Sequence, residues 1–264
     1  MKWAGGKSRL LPELLARLPD SFRAYHEPFV GGGALFFALA GAGRLGRVYL
    51  SDANAALIDV YLALRDDVEG VIAALGHHHY ERDYYYRVRA QSPDDLSLPE
   101  RAARVIYLNK TCYNGLYREN RAGQFNVPFG RYKNPTICDE PNLRAVSATL
   151  RDVDITRRRF DTVLDYAKPG DFVYFDPPYV PLSATANFTS YDRAGFGPDD
   201  QRQLSHVFAE LARRGVRAML SNSDTPFVRE LYAGFSVEQV FAARAVNSKA
   251  NGRGKVAEVL VTNY

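Results

Sequence analysis

The run Asp171-Phe172-Val173-Tyr174-Phe175 leads without a break into Asp176-Pro177-Pro178-Tyr179, and this junction restricts the chain more than any other feature. Bounded upstream by Pro169-Gly170, its first half reads as a short buried strand. Each proline lacks an N–H and fixes φ, and each drives the residue before it to an extended conformation. The chain must therefore leave its sheet at Asp176 along a stiff path. That point lies just past the strand's carboxyl end, where open α/β sheets bind ligands. A carboxylate and the Pro177 carbonyl held there are two acceptors suited to an exocyclic amino group, and the Tyr179 ring is a flat surface for an extruded base. The plain alternative is a proline turn with a capping Asp. The strand context and a glycine turn upstream speak against it.

That turn is Glu27-Pro28-Phe29-Val30-Gly31-Gly32-Gly33, set between a brief extended segment, Ala24 to Phe29, and an apolar helical run, Ala34 to Ala40. Absent side chains let backbone amides and a helix N-terminus approach a ligand. Three glycines at such a junction are often only a tight turn. A second strand, Arg47 to Ser51, ends at Asp52, where a carboxylate can accept from ribose hydroxyls, and Asn54 to Leu64 follows with helical spacing. The result is a βαβ unit, which does not settle which nucleoside cofactor binds. Leu10, Leu11, Leu14, Leu15 and Leu18 predict an earlier helix from Ser8 to Leu18, with Ser8 as its N-cap. Gly6-Lys7-Ser8 is not a phosphate loop, because Met1 stands where that motif needs its first glycine.

Strand–helix alternation stops between about Arg65 and Arg144, where tyrosines such as Tyr80, Tyr84, Tyr85, Tyr86, Tyr107, Tyr113, Tyr117 and Tyr132 accumulate. It resumes at the strand before Asp176, a helix from Asp199 to Arg214, a strand Arg217 to Ser221, and strands around Phe235 to Arg244 and Val256 to Thr262. The reading is an α/β core, 1–64 and 145–264, interrupted by an insertion over 65–144. With 46% hydrophobic residues in 264, the chain can bury a substantial core, which excludes disorder and collagen-like repeats. No apolar run approaches the ~18 residues of a membrane span. The opening Met1 to Lys7 lacks a secretory apolar stretch, so a cytoplasmic protein is expected. Cys112 and Cys138 are too few for a disulfide scaffold and lack zinc-ligand spacing, which fits a reducing compartment. The net charge of +4 is unevenly spread: Arg101 to Phe160 holds twelve Lys and Arg against five Asp and Glu. Arg244, Lys249, Arg253 and Lys255 add a second basic segment, so two basic surfaces could flank a groove for a polyanion.

Together these motifs resemble the Dam-type (D12 class, alpha-group) DNA adenine-N6 methyltransferases. The resemblance is carried by Lys2-Trp3-Ala4-Gly5-Gly6-Lys7, by the glycine turn, by Asn114-Gly115-Leu116-Tyr117-Arg118, by Phe125-Asn126-Val127-Pro128-Phe129-Gly130-Arg131-Tyr132-Lys133 and by Asp176-Pro177-Pro178-Tyr179. It extends through Pro181 to Thr189 and Ser221 to Thr225, and so runs from Lys2 to about Tyr264. It implies a Rossmann-like, S-adenosyl-L-methionine-dependent methyltransferase fold with an inserted, mainly helical DNA-recognition domain. It also implies that Trp3, Lys7, Phe29, Gly31, Gly33, Asp52 and Asp176 surround the methyl donor, with Phe160 near its adenine. Asp176, Pro177, Pro178 and Tyr179 would form the catalytic segment. Lys2, Tyr113, Asn114, Leu116, Arg118, Pro128, Arg131 and Tyr132 would contact double-stranded DNA, with GATC as the implied target. Many relatives have Gly-Asp-aromatic where this chain has Arg158-Arg159-Phe160, which leaves open whether Asp161 supplies the missing carboxylate.

The residues themselves are compatible with that reading. Arg118 can bind a guanine edge bidentately, Tyr113 and Asn114 can wedge into a duplex, and Pro128 and Leu116 can touch a thymine methyl. Without the resemblance, the segment would read as a tyrosine-rich core with solvated arginines. His77-His78-His79 lacks partners at ligand spacing, and no metal is expected. Cys112 lacks the Pro-Cys pattern of a covalent cytosine mechanism and reads as a packed residue. The competing readings are a cytosine-N4 methyltransferase, whose site is usually led by Ser, and a catalytically silent DNA-binding protein. The intact Asp-Pro-Pro-Tyr and glycine turn argue against the second. RNA finds no specific support. No membrane and no obligate protein partner are expected, and location on the nucleoid would follow from DNA binding.

Overall fold

The computed structural model describes residues 6–120, 122–181, 195–243 and 255–264. In chain order its elements are α1 (Leu11–Ala16), β1 (Ala24–Glu27), α2 (Ala34–Gly41), β2 (Arg47–Asp52), α3 (Ala55–Asp66), α4 (Val68–Gly76), α5 (Arg82–Ala90), α6 (Leu98–Thr111), α7 (Glu140–Leu150), β3 (Asp154–Arg157), β4 (Phe172–Phe175), α8 (Pro198–Arg213), β5 (Arg217–Ser223), α9 (Pro226–Leu231), β6 (Ser236–Ala243) and β7 (Lys255–Thr262). The strands form one sheet of order β3-β2-β1-β4-β5-β7-β6. β1 to β5 run parallel, and β7 lies antiparallel between β5 and β6. Chain order reverses between β1 and β4, so the connections leaving these neighbours diverge and open a crevice beyond their carboxyl ends.

β4 shows why the sheet holds together. All four of its residues are buried, as expected of a central parallel strand covered on both faces. Side chains alternate, so Phe172 and Tyr174 join the core that includes Tyr25, Leu14 and Leu50, while Val173 and Phe175 join Leu204, Phe208 and Val261.

Three local features depart from the sequence reading. α1 is shorter than Ser8 to Leu18, because Pro12 lacks the N–H an interior position needs and fits only in the first turn. β3 has four residues of which only Ile155 is buried, too little alternation to read in isolation; it forms by pairing with β2, Leu50 opposite Ile155. α9 starts at Thr225, whose hydroxyl accepts the Val228 N–H at 3.2 Å.

Between β2 and β3 the chain is helical, with α6 packed against α3, α4 and α5 in a core continuous with that beneath β1 and β2. The tyrosines of this segment support the irregular stretch from Cys112 to Tyr132. Tyr85 donates its hydroxyl to the Val127 carbonyl (2.8 Å), Tyr80 to Gly130 (2.7 Å) and Tyr132 to Cys112 (2.9 Å). Non-repetitive backbone needs such partners when it is drawn into an interior. His78 stacks on Tyr107 and meets the Tyr84 hydroxyl at 2.8 Å, so the histidine tract belongs to this aromatic cluster. Among the described residues no three His, Cys, Asp or Glu are grouped to hold a metal, and no helix is long and apolar enough to cross a membrane. Cys112 is buried, which pushes its thiol up to about 11 and leaves it a poor nucleophile.

A Cβ on Gly130 would fall 2.6 Å from the Cys112 carbonyl oxygen and 2.5 Å from the Tyr132 ring. Gly130→Ala is therefore predicted to destabilise the protein by about 1–3 kcal/mol through overpacking. Urea unfolding of both proteins checks this, and equal midpoints would refute the close approach.

Candidate active site

The crevice holds a cavity of about 2170 Å³, above the ~300–1,000 Å³ of an ordinary small-molecule pocket. Its floor is the glycine turn and the ends of β1, β2 and β4, and its far wall is the stretch Asn114 to Asn126.

The floor begins with the turn between β1 and α2. Gly31 and Gly33 have φ of 48° and 64°, left-handed values that favour glycine, and a Cβ on Gly33 would stand 2.8 Å from the Tyr61 hydroxyl. The Asp52 carboxylate at the end of β2 accepts the Gly31 N–H at 3.2 Å and the Asn54 N–H at 2.9 Å, which ties the two βα turns together. Tyr61 donates to the Gly31 carbonyl at 3.1 Å. Phe29 stacks on Phe160 with centroids 5.4 Å apart, and Phe196 meets both edge-on. Together they form an apolar shelf beside a carboxylate and a glycine turn, a donor and acceptor set that fits a nucleoside with a charged tail. Asp161, whose role was open in the sequence, accepts from Gln203 at 2.7 Å and pairs with Arg159 at 3.4 Å, and it does not line the cavity. Asp200, in the first turn of α8, does.

Beyond β4, Asp176 carries a side chain 18% exposed. Ser221 on β5 donates to it at 3.0 Å, and Tyr174 in turn lies 2.9 Å from Ser221. Lys7 lines the same cavity and places its ammonium 2.8 Å from Asp176 and 4.3 Å from the Tyr179 ring centre. Burial lifts the Asp176 carboxyl above its ordinary range, opposed by Lys7 and by the Ser221 hydroxyl. Tyr179 donates to Glu258 on β7 at 2.9 Å, so its ring is anchored from the far side of the sheet. Glu27 at the end of β1 is also buried and accepts the Tyr25 hydroxyl at 2.8 Å.

Of the expected DNA-contacting side chains, Tyr113 is 53% exposed and Leu116 39%, and Pro128 and Arg131 are exposed. Asn114 between them adopts a left-handed φ of 56°, which Asn tolerates better than most residues. Arg118 donates its Nε to Asn126 at 2.7 Å. Tyr132 is half-buried, with its hydroxyl on Cys112. Lys2 and Trp3 lie outside the described residues, as do Arg244, Lys249 and Arg253. Several cations of the basic middle serve the fold: Arg101 pairs with Asp59, Arg144 with Glu69, and buried Arg104 donates to the Val88 carbonyl. Ser221, Glu258, Glu27 and Gln201 were not singled out as site residues. The stretch Ser221 to Thr225 carried a signal, whereas nothing in the sequence ties Glu258 to Tyr179.

A sheet of this order with one antiparallel strand next to its edge, a glycine turn after β1 and a carboxylate at the end of β2 is Rossmann-like, and the family match makes it that of a methyltransferase that uses S-adenosyl-L-methionine. The chain belongs to the D12 class N6 adenine-specific DNA methyltransferases, whose family model matches residues 3–246. Type II methyltransferase M1.LlaDCHI of Lactococcus lactis subsp. cremoris is 42% identical over 271 residues, which span 100% of this chain and 94% of that one. Type II methyltransferase M.MjaIII of Methanocaldococcus jannaschii is 42% identical over 283 residues, 100% of this chain and 98% of its own. The DNA adenine methylase of Serratia marcescens is 36% identical over 265 residues, covering 98% and 96%.

Burial pushes the Glu27 carboxyl up to about 8, with the Tyr25 hydroxyl opposing the rise and Asp176 adding to it. Below the ordinary glutamate value both folded and unfolded chains hold this proton; above it only the folded chain does, until the pH passes about 8. Stability from this group is thus complete at low pH and lost as pH rises through that window. Glu27→Gln stays neutral throughout, so the melting temperature of the parent is predicted to fall relative to this variant between about pH 5 and pH 8. Thermal melts at stepped pH check it, and parallel curves would refute a protonated Glu27.

Proposed function

We propose that the protein methylates N6 of adenine in double-stranded DNA, within GATC, on a base swung out of the helix. The observation that carries this reading is the position of Asp176. It is an acceptor set at the end of β4, beside the Pro177 carbonyl and the Tyr179 ring, on a cavity shared with the glycine turn. The adenine amino group is a poor nucleophile because its lone pair is delocalised into the ring. When Asp176 and the Pro177 carbonyl accept hydrogen bonds from its two N–H groups, the nitrogen is drawn toward tetrahedral geometry and its lone pair is aimed out of the ring plane. Bound S-adenosyl-L-methionine would supply an electrophilic methyl carbon on a sulfonium that becomes a neutral thioether, and the proton that the methylated N6 sheds passes along its hydrogen bond to the Asp176 carboxylate. An entering amino group takes the acceptor position on Asp176 that the Lys7 ammonium holds in this structure. Lys7, Phe29, Gly31, Gly33, Asp52, Phe160 and Asp176 hold the donor, and Trp3, outside the described residues, is assigned to it by the family motif alone.

The helical segment 65–144 reads the target, and 1–64 with 145–264 carries the chemistry. Tyr113 and Asn114 enter the duplex where the base departs, and Arg118 meets a guanine edge. Leu116 and Pro128 touch a thymine methyl, and Lys2, Arg131 and Tyr132 complete the contacts. Extruding the base costs a few kcal/mol, offset by stacking on Tyr179 and by cations on the phosphates. A duplex DNA substrate supports the reading of a cytoplasmic enzyme that works on the nucleoid.

Asp176→Ala is expected to lower methyl transfer by at least ~100-fold while DNA binding stays within a few-fold, because the lost contact acts on the reacting nitrogen. Tyr179→Ala should lose more activity than Tyr179→Phe, which keeps the ring and gives up only the bond to Glu258. Labelled methyl transfer and gel-shift titration read both, and near-normal turnover in Asp176→Ala would defeat the mechanism. For the target, plasmid treated with the protein should resist a nuclease blocked by adenine methylation in GATC and become sensitive to one that requires it. Equal methylation of duplexes with and without GATC would remove that target, and N4-methylcytosine in the digested product would remove adenine.

A further inference from the structure

Gln201 lies in the first turn of α8, facing the core with 2% of its surface exposed, where an amphipathic helix ordinarily places an apolar side chain. Its amide nitrogen donates to the Pro178 carbonyl at 2.9 Å, and its amide oxygen accepts from Asn222 Nδ2 at 3.1 Å. Asn222 is fully buried on β5, and its oxygen accepts the Val180 N–H at 3.2 Å and the Ser223 N–H at 2.8 Å. Ser223 returns its hydroxyl to the Val180 carbonyl at 2.6 Å.

We propose that Gln201, working through Asn222, is the positioning residue that sets the Asp176-Pro177-Pro178-Tyr179 segment for methyl transfer; this rests on the adenine-N6 reading above. Two consecutive prolines offer no N–H, so at Pro177 and Pro178 the backbone cannot donate to a strand ladder and has only its carbonyls as handles. The interior amides take the place of the missing strand. Each link also has a single permitted polarity. A carbonyl can only accept, so Gln201 must turn its nitrogen to Pro178 and its oxygen to Asn222. Asn222 must then turn its own oxygen toward two N–H groups. Neither amide can flip without setting acceptor against acceptor in a dry interior, a penalty that fixes the tilt of the Pro178–Tyr179 peptide. The clamp takes the Pro178 and Val180 carbonyls, and among the described residues none donates to the Pro177 carbonyl between them and Asp176. The clamp thus bonds the carbonyl on the far side of Pro178 and leaves that of Pro177, which the proposed reaction uses, open. α8 seats Gln201 firmly, since its N–H bonds the Gly197 carbonyl at 3.1 Å and Asp200 caps the Gly197 N–H at 3.1 Å.

The test uses Gln201→Met, which keeps length without polar atoms, and Gln201→Glu, which keeps the acceptor toward Asn222 but turns a lone pair on Pro178. Single-turnover transfer of labelled methyl from S-adenosylmethionine to an adenine-containing duplex, with enzyme in excess, separates a rate constant from an active fraction. The rate constant is expected to fall at least ~10-fold in both variants, since small misplacements of reacting groups cost that much, with KM for each substrate within about twofold. Adding Asn222→Ala to Gln201→Met should cost little more than the worse single change, because both act through one loop. A purely structural role would lower the active fraction and the melting temperature and leave the rate constant alone. That result, or a raised KM at an unchanged rate, overturns the proposal. Gln201→Asn, one methylene shorter with both amide poles kept, should recover part of the rate, and it carries the test if the other two do not fold. A parent protein that methylates no adenine would sink the functional reading itself, whereas an active parent matched by its Gln201 variants sinks only this inference.

Discussion

A carboxylate drawn out of water at the end of a strand is unfavourable unless its charge is met, and the arrangement around Asp176 follows from meeting it. Ser221 donates to it from the neighbouring β5, Tyr174 on β4 backs Ser221, and Lys7 supplies the opposite charge from the N-terminal segment. Each of these partners depends on the sheet. β5 must lie beside β4 in register for Ser221 to reach, and the strand order must reverse at β1 for the crevice to be open there at all. The candidate chemistry and the fold therefore rest on one placement, a buried acceptor at a topological switch point.

The parts of the molecule legible in the sequence are those whose information is local. A diproline after an apolar run, glycines between a strand and a helix, and an Asp at the end of the next strand each state their own backbone geometry. The fold class and the positions of β1, β2, β4, β5, α2, α3 and α8 followed from them to within a few residues. What escaped is held by distant partners. β3 is a strand only because β2 offers an edge to it, and Glu258 matters to Tyr179 only because β7 folds back beside β5. Lys7 shows the intermediate case. Its motif marked it as functional, yet its contact with Asp176 spans most of the chain and could not be read from spacing.

The basic middle of the chain shows how composition can mislead about availability. Arg101, Arg104 and Arg144 contribute to the local excess of positive charge, but they are engaged with Asp59, with backbone carbonyls and with Glu69 and Glu140. Such arginines shape the protein more than they attract a polyanion. The tyrosines divide in the same way. Tyr80, Tyr85 and Tyr132 spend their hydroxyls on backbone carbonyls of the stretch between Cys112 and Tyr132, whereas Tyr113 stands out from it. The base of the stretch is thereby stiffened while its tip stays exposed.

The same division recurs at the catalytic segment. Pro177 and Pro178 remove conformational freedom from the chain before folding, and Gln201, Asn222 and Ser223 remove what is left after it. An acceptor that had to be ordered at the moment of reaction would lose its advantage to reorganisation; one ordered by folding does not. At Tyr113-Asn114, by contrast, the side chains are exposed and the backbone of Asn114 is left-handed. On the proposed mechanism the packing of α8 and β5 therefore bears on the geometry of two acceptor oxygens, those of Asp176 and Pro177.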